Sequence, residues 1–213
     1  MHDEAWLELV PRGGADLAVV MMHGRGRSPE EMRDLAERLD LPRVRYVFPA
    51  ASGASWYPKG FLTPVEENEP HLSAALNHYE RVVGALMAEG FVPDRIVLGG
   101  FSQGACLTAE FLARSPRRYA GALVFTGGLI GPPGTDWPVR PELDGMPVLL
   151  TTSEVDEWVP PSRVHETSRW LQRCGALVEL RIFETRPHVV DDEELAAARN
   201  LIERTRHEGG RAR

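Results

Sequence analysis

Short β-prone runs alternate with helix-prone stretches from Trp6 to Arg206, and this alternation restricts the chain to a mainly parallel central sheet covered by helices on both faces. The β-prone runs are Trp6 to Val10, Leu17 to His23, Val44 to Phe48, Arg95 to Leu98, Gly121 to Phe125, Val148 to Thr152 and Val178 to Phe183. Most are nearly continuous in apolar residues, as strands buried on two faces must be. Between them, Ser28-Pro29-Glu30-Glu31 opens a helix to Leu39, with Ser28 as cap, Pro29 at the first helical position and Glu31 completing a capping box. Further helices are predicted over Pro70 to Glu89, Gln103 to Ser115, Ser162 to Cys174 and Asp191 to Arg206.

At 213 residues and 43% hydrophobic composition, the chain can bury one sizeable core but not comfortably two. The expectation is one α/β domain over residues 1–206, followed by a flexible basic tail at 207–213. Lys and Arg total 24 against 31 Asp and Glu, a formal charge of -7, which argues against nucleic acid or an acidic membrane surface as partner. Asp3 and Glu4 stand where a signal peptide would be basic, and Leu17 to Met22 is too short to span a bilayer. A soluble cytoplasmic protein without stable membrane insertion is expected. Cys106 and Cys174 have neither metal-ligand spacing nor the density of a disulfide scaffold, so each reads as a small buried apolar residue. No metal or organic cofactor is implied, and a homodimer is permitted but not supported.

Chemistry enters at Val97-Leu98-Gly99-Gly100-Phe101-Ser102-Gln103-Gly104-Ala105, where an apolar run breaks into G-x-S-x-G and then into helix-favouring sequence. In such a strand-turn-helix the serine sits on a strained turn, and the flanking glycines remove side chains that would collide there. Ser102 is the candidate nucleophile. A serine hydroxyl is weakly nucleophilic at neutral pH and needs a base in hydrogen-bond reach, with a third group to hold that base in the right tautomer. In sites of this kind the order along the chain is Ser, then Asp or Glu, then His, each on the loop after a later strand. Asp156 follows the run Val148 to Thr152, and His188 follows Val178 to Phe183. Glu154 and Glu157 rival Asp156, and His165, early in a predicted helix, rivals His188.

Charge developing on a substrate carbonyl oxygen calls for preorganised donors. The backbone N–H of Gln103 is the first, and the glycine-rich turn His23-Gly24-Arg25-Gly26-Arg27 offers the N–H of Arg25 as the second. That turn lacks both the Lys-Ser/Thr ending of a P-loop and the spacing of a dinucleotide fingerprint, which argues against a phosphate cradle. His23 reads as a brace for the turn or a substrate contact. Pro49 to Glu69 and Gly127 to Leu143 are longer than the fold requires. They are expected to wall a pocket, with Trp56, Tyr57, Phe61, Leu129 and Trp137 as candidate substrate-binding residues.

Taken together, His23-Gly24-x-Gly26, Ser55-Trp56-Tyr57, Gly100-Phe101-Ser102-Gln103-Gly104-Ala105, Asp156-x-x-Val159-Pro160 and His188 with acidic residues after it resemble the phospholipase/carboxylesterase family of α/β-hydrolases, which includes the acyl-protein thioesterases. The resemblance spans roughly residues 17 to 205. It implies an α/β-hydrolase fold without a separate lid domain and a serine hydrolase of small carboxylic esters or thioesters. Ser102, Asp156 and His188 match the family's triad, and Gln103 and Arg25 match its oxyanion positions. Three positions depart from the pattern: Ser153 and Pro187 stand where glycine is often found before the aspartate and the histidine, and Arg25 where a small or apolar residue is usual. The Arg25 guanidinium either attracts an acidic acyl chain or points into solvent. Hydrolysis of a lactone, dienelactone-type chemistry, and a non-catalytic small-ligand-binding protein on the same fold are the alternatives.

Overall fold

The computed structural model describes residues 5–208; Met1 to Glu4 and residues 209–213 of the expected tail lie outside the described residues. The strands are β1 (Trp6–Leu9), β2 (Leu17–Met22), β3 (Val44–Pro49), β4 (Ile96–Phe101), β5 (Gly121–Phe125), β6 (Pro147–Ser153) and β7 (Leu177–Phe183). They form one sheet in the order β1-β3-β2-β4-β5-β6-β7. β1 runs antiparallel to β3, and every other neighbouring pair is parallel. The helices are α1 (Pro29–Leu39), α2 (His71–Ala88), α3 (Gln103–Arg114), α4 (Pro161–Arg173) and α5 (Asp192–Glu208). The expected mainly parallel sheet with helices on both faces is therefore what forms.

Strand side chains alternate between two cores, which explains the unbroken apolar runs. Val20, Leu98, Val124 and Leu150 pack with α2, α3 and α4, including Tyr79, Leu112 and Trp170. Val19, Val97, Leu123 and Leu149 face the other way, onto Met32, Leu35 and Leu39 of α1 and Ala198, Leu201 and Ile202 of α5.

Several boundaries differ from the sequence reading. The β-prone run ends at Leu98, but β4 continues to Phe101. Gly99 pairs with Leu123 of β5, where a Cβ would come within 3.2 Å of the Leu123 side chain, so glycine there serves strand packing. α5 extends through Glu208, taking residues 207 and 208 of the expected tail into a helix. Ser28 does occupy the cap of α1 and Pro29 follows it, but the capping box does not form. Glu31 instead pairs with Arg27 at 2.9 Å, and the Ser28 hydroxyl bonds Glu30, holding that carboxyl below its ordinary range. Among the described residues no helix is long and apolar enough to cross a membrane.

The chain leaves β2 to one side, through β3, and returns on its other side as β4, so the strand order reverses between β2 and β4. At such a switch point the loops beyond the carboxyl ends of the strands diverge and leave a crevice. The turn after β2 and Ser102 after β4 both open there. Close approach of these two segments depends on Gly104, where a Cβ would lie 2.1 Å from the Met22 carbonyl oxygen. Gly104→Ala is expected to cost about 3 kcal/mol, at the upper end for overpacking, because the obstructing atom is backbone and cannot step aside. Thermal or denaturant unfolding checks this; a loss below about 0.5 kcal/mol would contradict it.

Candidate active site

Ser102 follows β4 and caps α3 with φ 53° and ψ -116°, a conformation costly for any residue with a Cβ. The surroundings impose it. The Ser102 N–H donates to the Phe125 carbonyl at 3.0 Å, and its own carbonyl accepts the first helical bond from Cys106 at 3.0 Å. A Cβ on Gly100 would sit 2.4 Å from the Gly104 carbonyl carbon, so the turn is closed to side chains on that side. The hydroxyl is thereby presented above the carboxyl edge of the sheet.

The loops after β6 and β7 bring Asp156 and His188 to it. Ser102 Oγ–H donates to His188 Nε2 at 2.8 Å, and His188 Nδ1–H donates to Asp156 Oδ2 at 2.7 Å. An ionised carboxylate can only accept, so Nδ1 carries the ring proton and the Nε2 lone pair faces the serine. The second carboxylate oxygen accepts the backbone N–H groups of Trp158 and Val159 at 2.9 and 2.8 Å, which fixes the carboxylate in a fully buried position. Phe101 packs against the imidazole with ring centroids 4.9 Å apart. The rivals are placed otherwise: Glu154 and Glu157 stay exposed, and His165 rides on α4.

A buried ion pair that the sequence reading missed anchors the histidine loop. Arg186 bonds Glu194 of α5 and the Val189 carbonyl, and its Nη2 donates to Thr126 Oγ1 at 3.0 Å. Glu194 also accepts from the Thr151 hydroxyl and, at 3.0 Å, from the Asp191 N–H. Burial pushes the Glu194 carboxyl up, against the opposing pull of Thr151, Arg186 and the Asp191 N–H. Thr126, just past β5, has φ 51°, rare for a β-branched residue. Loop 186–189 is thus tied to the ends of β5 and β6 and to α5.

On the opposite side, the turn after β2 approaches the serine so closely that a Cβ on Gly24 would lie 3.3 Å from Ser102 Cβ. The Gln103 side chain is a strut: Oε1 accepts the Trp56 N–H at 3.0 Å and Nε2 donates to the Tyr57 carbonyl at 2.8 Å. Its backbone N–H belongs to the first turn of α3, where no intrahelical acceptor exists. Arg25 does not extend freely into solvent. Its guanidinium donates to the carbonyls of Tyr57, Pro58 and Lys59 at 2.9, 2.9 and 2.6 Å, pinning the loop after β3 beside the site.

A cavity of about 520 Å³ opens over Ser102 and His188. Tyr57 and Phe61 line it, together with Leu62, Phe101, Trp158 and Val159, which the sequence reading did not name as pocket residues. Trp158 is two-thirds exposed although it lies beside His188. The other pocket candidates fall elsewhere. His23 is buried, its Nδ1–H donating to the Gly24 carbonyl at 2.7 Å while Nε2 accepts the Ala51 N–H at 3.0 Å, so it braces the turn. Trp56 is fully buried and donates to the His23 carbonyl at 2.8 Å. Leu129 sits in the core, its backbone held by Thr167 and Arg163, and Trp137 lies under the Arg163 guanidinium at 5.1 Å. The long loop at 127–143 therefore packs on α3 and α4, and none of its residues lines this cavity. Cys106 reaches the cavity, but burial pushes its thiol up to about 12, which keeps it protonated. Among the described residues no group of three or more His, Cys, Asp or Glu side chains is placed to hold a metal ion.

Comparison with known proteins agrees with this architecture. Residues 10–206 match the family model described as phospholipase/carboxylesterase. The chain belongs to that family. The crystal structure of a phospholipase/carboxylesterase from Dyadobacter fermentans superposes with a TM-score of 0.87 at 36% identity, covering 95% of this chain and 97% of that one. An acyl-protein thioesterase 1 from Eremothecium gossypii is 29% identical over 174 residues, 73% of this chain and 72% of the relative. A probable carboxylesterase of rice, Oryza sativa subsp. japonica, is 26% identical over 202 residues, 86% of each chain. The protein is thus an ester-hydrolysing enzyme of the α/β-hydrolase fold.

Proposed function

We propose that the protein is a serine hydrolase acting on carboxylic esters or thioesters through an acyl-enzyme intermediate, with Ser102 as nucleophile, His188 as general base and acid, and Asp156 orienting the imidazole. The reading treats residues 1–206 as one catalytic domain. The observation that carries it is the unbroken chain of hydrogen bonds from Asp156 through His188 to a serine on a strained turn, at 2.7 and 2.8 Å.

In the first step His188 Nε2 takes the Ser102 proton as Oγ attacks the substrate carbonyl, and the imidazolium is stabilised by Asp156. The negative charge moves to the carbonyl oxygen, facing the backbone N–H groups of Gln103 and Arg25. Collapse breaks the bond to the alcohol or thiol, which leaves with the proton from Nε2. Water then attacks the Ser102 ester, His188 takes its proton, and the second collapse returns that proton to Oγ and releases the acid. The apolar walls Tyr57, Phe61, Phe101 and Trp158 suit an acyl or alcohol group of modest size. Thioesters enter the reading through relatives named acyl-protein thioesterases.

A fluorophosphonate probe tests this directly, since only an activated serine displaces its fluoride. One covalent adduct is expected, on the peptide carrying Ser102, and Ser102→Ala is expected to abolish it. No adduct, or an adduct on another residue with Ser102 unmodified, would overturn the proposal.

A further inference from the structure

Resting on Ser102 being the nucleophile, the charge around the cavity says more about the substrate. Three cationic residues, Arg25, Arg27 and Lys59, line it, and no Asp or Glu does. That local excess runs against the chain as a whole, whose 31 acidic residues outnumber 24 basic ones. The three cations differ in how they are compensated. Arg27 is partly neutralised by Glu31 at 2.9 Å. Arg25 bonds only neutral carbonyl oxygens, so its full charge stands at the mouth, and the loop carbonyls hold it still. Lys59 is exposed on that same loop, and among the described residues no carboxylate comes within ion-pair distance of its ammonium or of the Arg25 guanidinium. Two uncompensated cations beside the apolar walls Tyr57, Phe61 and Phe101 favour a ligand that is apolar near the scissile carbonyl and negatively charged toward the loop after β3.

We infer that the preferred esters carry an anionic group, a carboxylate or a phosphate, placed on the Arg25–Lys59 side of the cavity. The test compares three esters of matched length, 4-nitrophenyl pentanoate, mono-4-nitrophenyl glutarate and 4-nitrophenyl 4-phosphonobutyrate, which differ only in the terminal group. At low ionic strength the charged esters are expected to exceed the pentanoate in kcat/KM by about five-fold or more, the scale of an exposed ion pair reinforced by a second cation. The ratio should fall toward one in molar salt, where the screening length shrinks to about 3 Å, and should drop below one in Lys59→Glu. Because the readout is a ratio, a general disturbance of the loop leaves it where it was. Whether glutarate or phosphonobutyrate leads tells a carboxylate source from a phosphate source. A wild-type ratio at or below one at low salt, with the pentanoate hydrolysed and its hydrolysis lost in Ser102→Ala, overturns this inference alone. Turnover that persists in Ser102→Ala overturns the serine-hydrolase reading and this inference with it.

Discussion

Ser102→Ala is expected to lower kcat on any ester by about 10⁴-fold or more, the loss that follows removal of a triad nucleophile. His188 and Asp156 then have no hydroxyl to activate, and the residual rate comes only from substrate binding and the oxyanion donors. KM should change little, because the apolar walls remain. The variant should also stay folded: alanine keeps the Cβ, so the backbone strain at φ 53° is unchanged, and the bonds from the Ser102 N–H and carbonyl involve backbone alone. Steady-state kinetics beside a thermal melt checks both halves. More than about one-thousandth of wild-type turnover in a preparation that melts normally would remove Ser102 from the chemistry.

Glu194→Ala carries the next largest expectation, a stability loss of about 3–5 kcal/mol. Glu194 is fully buried and Arg186 only 6% exposed, so deleting the carboxylate strands a guanidinium in the protein interior and removes the acceptor for Thr151 and the Asp191 N–H. Against a total folding stability of typically ~5–15 kcal/mol, that is a large share. Removing both charges at once should be milder: Arg186→Met combined with Glu194→Leu is expected to recover much of the lost stability, since two apolar side chains need no partner. Activity should not recover in parallel. Arg186 lies two residues before His188 and holds the Val189 carbonyl, so the double variant should show a lower kcat at similar KM as the imidazole loses its fixed direction. Chemical denaturation of the single and double variants, followed by kinetics on the double, separates the two roles. A Glu194→Ala protein within about 0.5 kcal/mol of wild type would show that the pair does not hold this loop.

The contrast between these two residues shows what could be read early. Ser102 announces itself because a strained strand-to-helix turn needs glycines at fixed offsets, a demand written into five consecutive residues. Asp156 and His188 are the candidates that the chain order of α/β-hydrolases points to, and the parallel strands bring their loops to the same edge of the sheet as Ser102. Arg186 and Glu194 left no such trace. Each is an ordinary charged residue in one dimension, and their pairing exists only because loop 186–189 folds under the start of α5.

The pocket divides the same way. Trp56, Leu129 and Trp137 have the apolar character of a binding wall, as Tyr57 and Phe61 do, but the first donates to the His23 carbonyl, the second fills the core and the third lies under Arg163. Trp158, which does border the cavity, lies in the loop of Asp156, where nothing in one dimension sets it apart. Arg25 shows the same limit, since its three carbonyl partners lie on a loop more than thirty residues away. By itself the sequence determined the sheet and the strand-turn-helix that carries Ser102, because those follow from local backbone demands and strand periodicity. Only the tertiary structure decided which aromatics line the cavity, which charges are paired and which remain bare at its mouth, because burial and pairing depend on segments that meet only after folding.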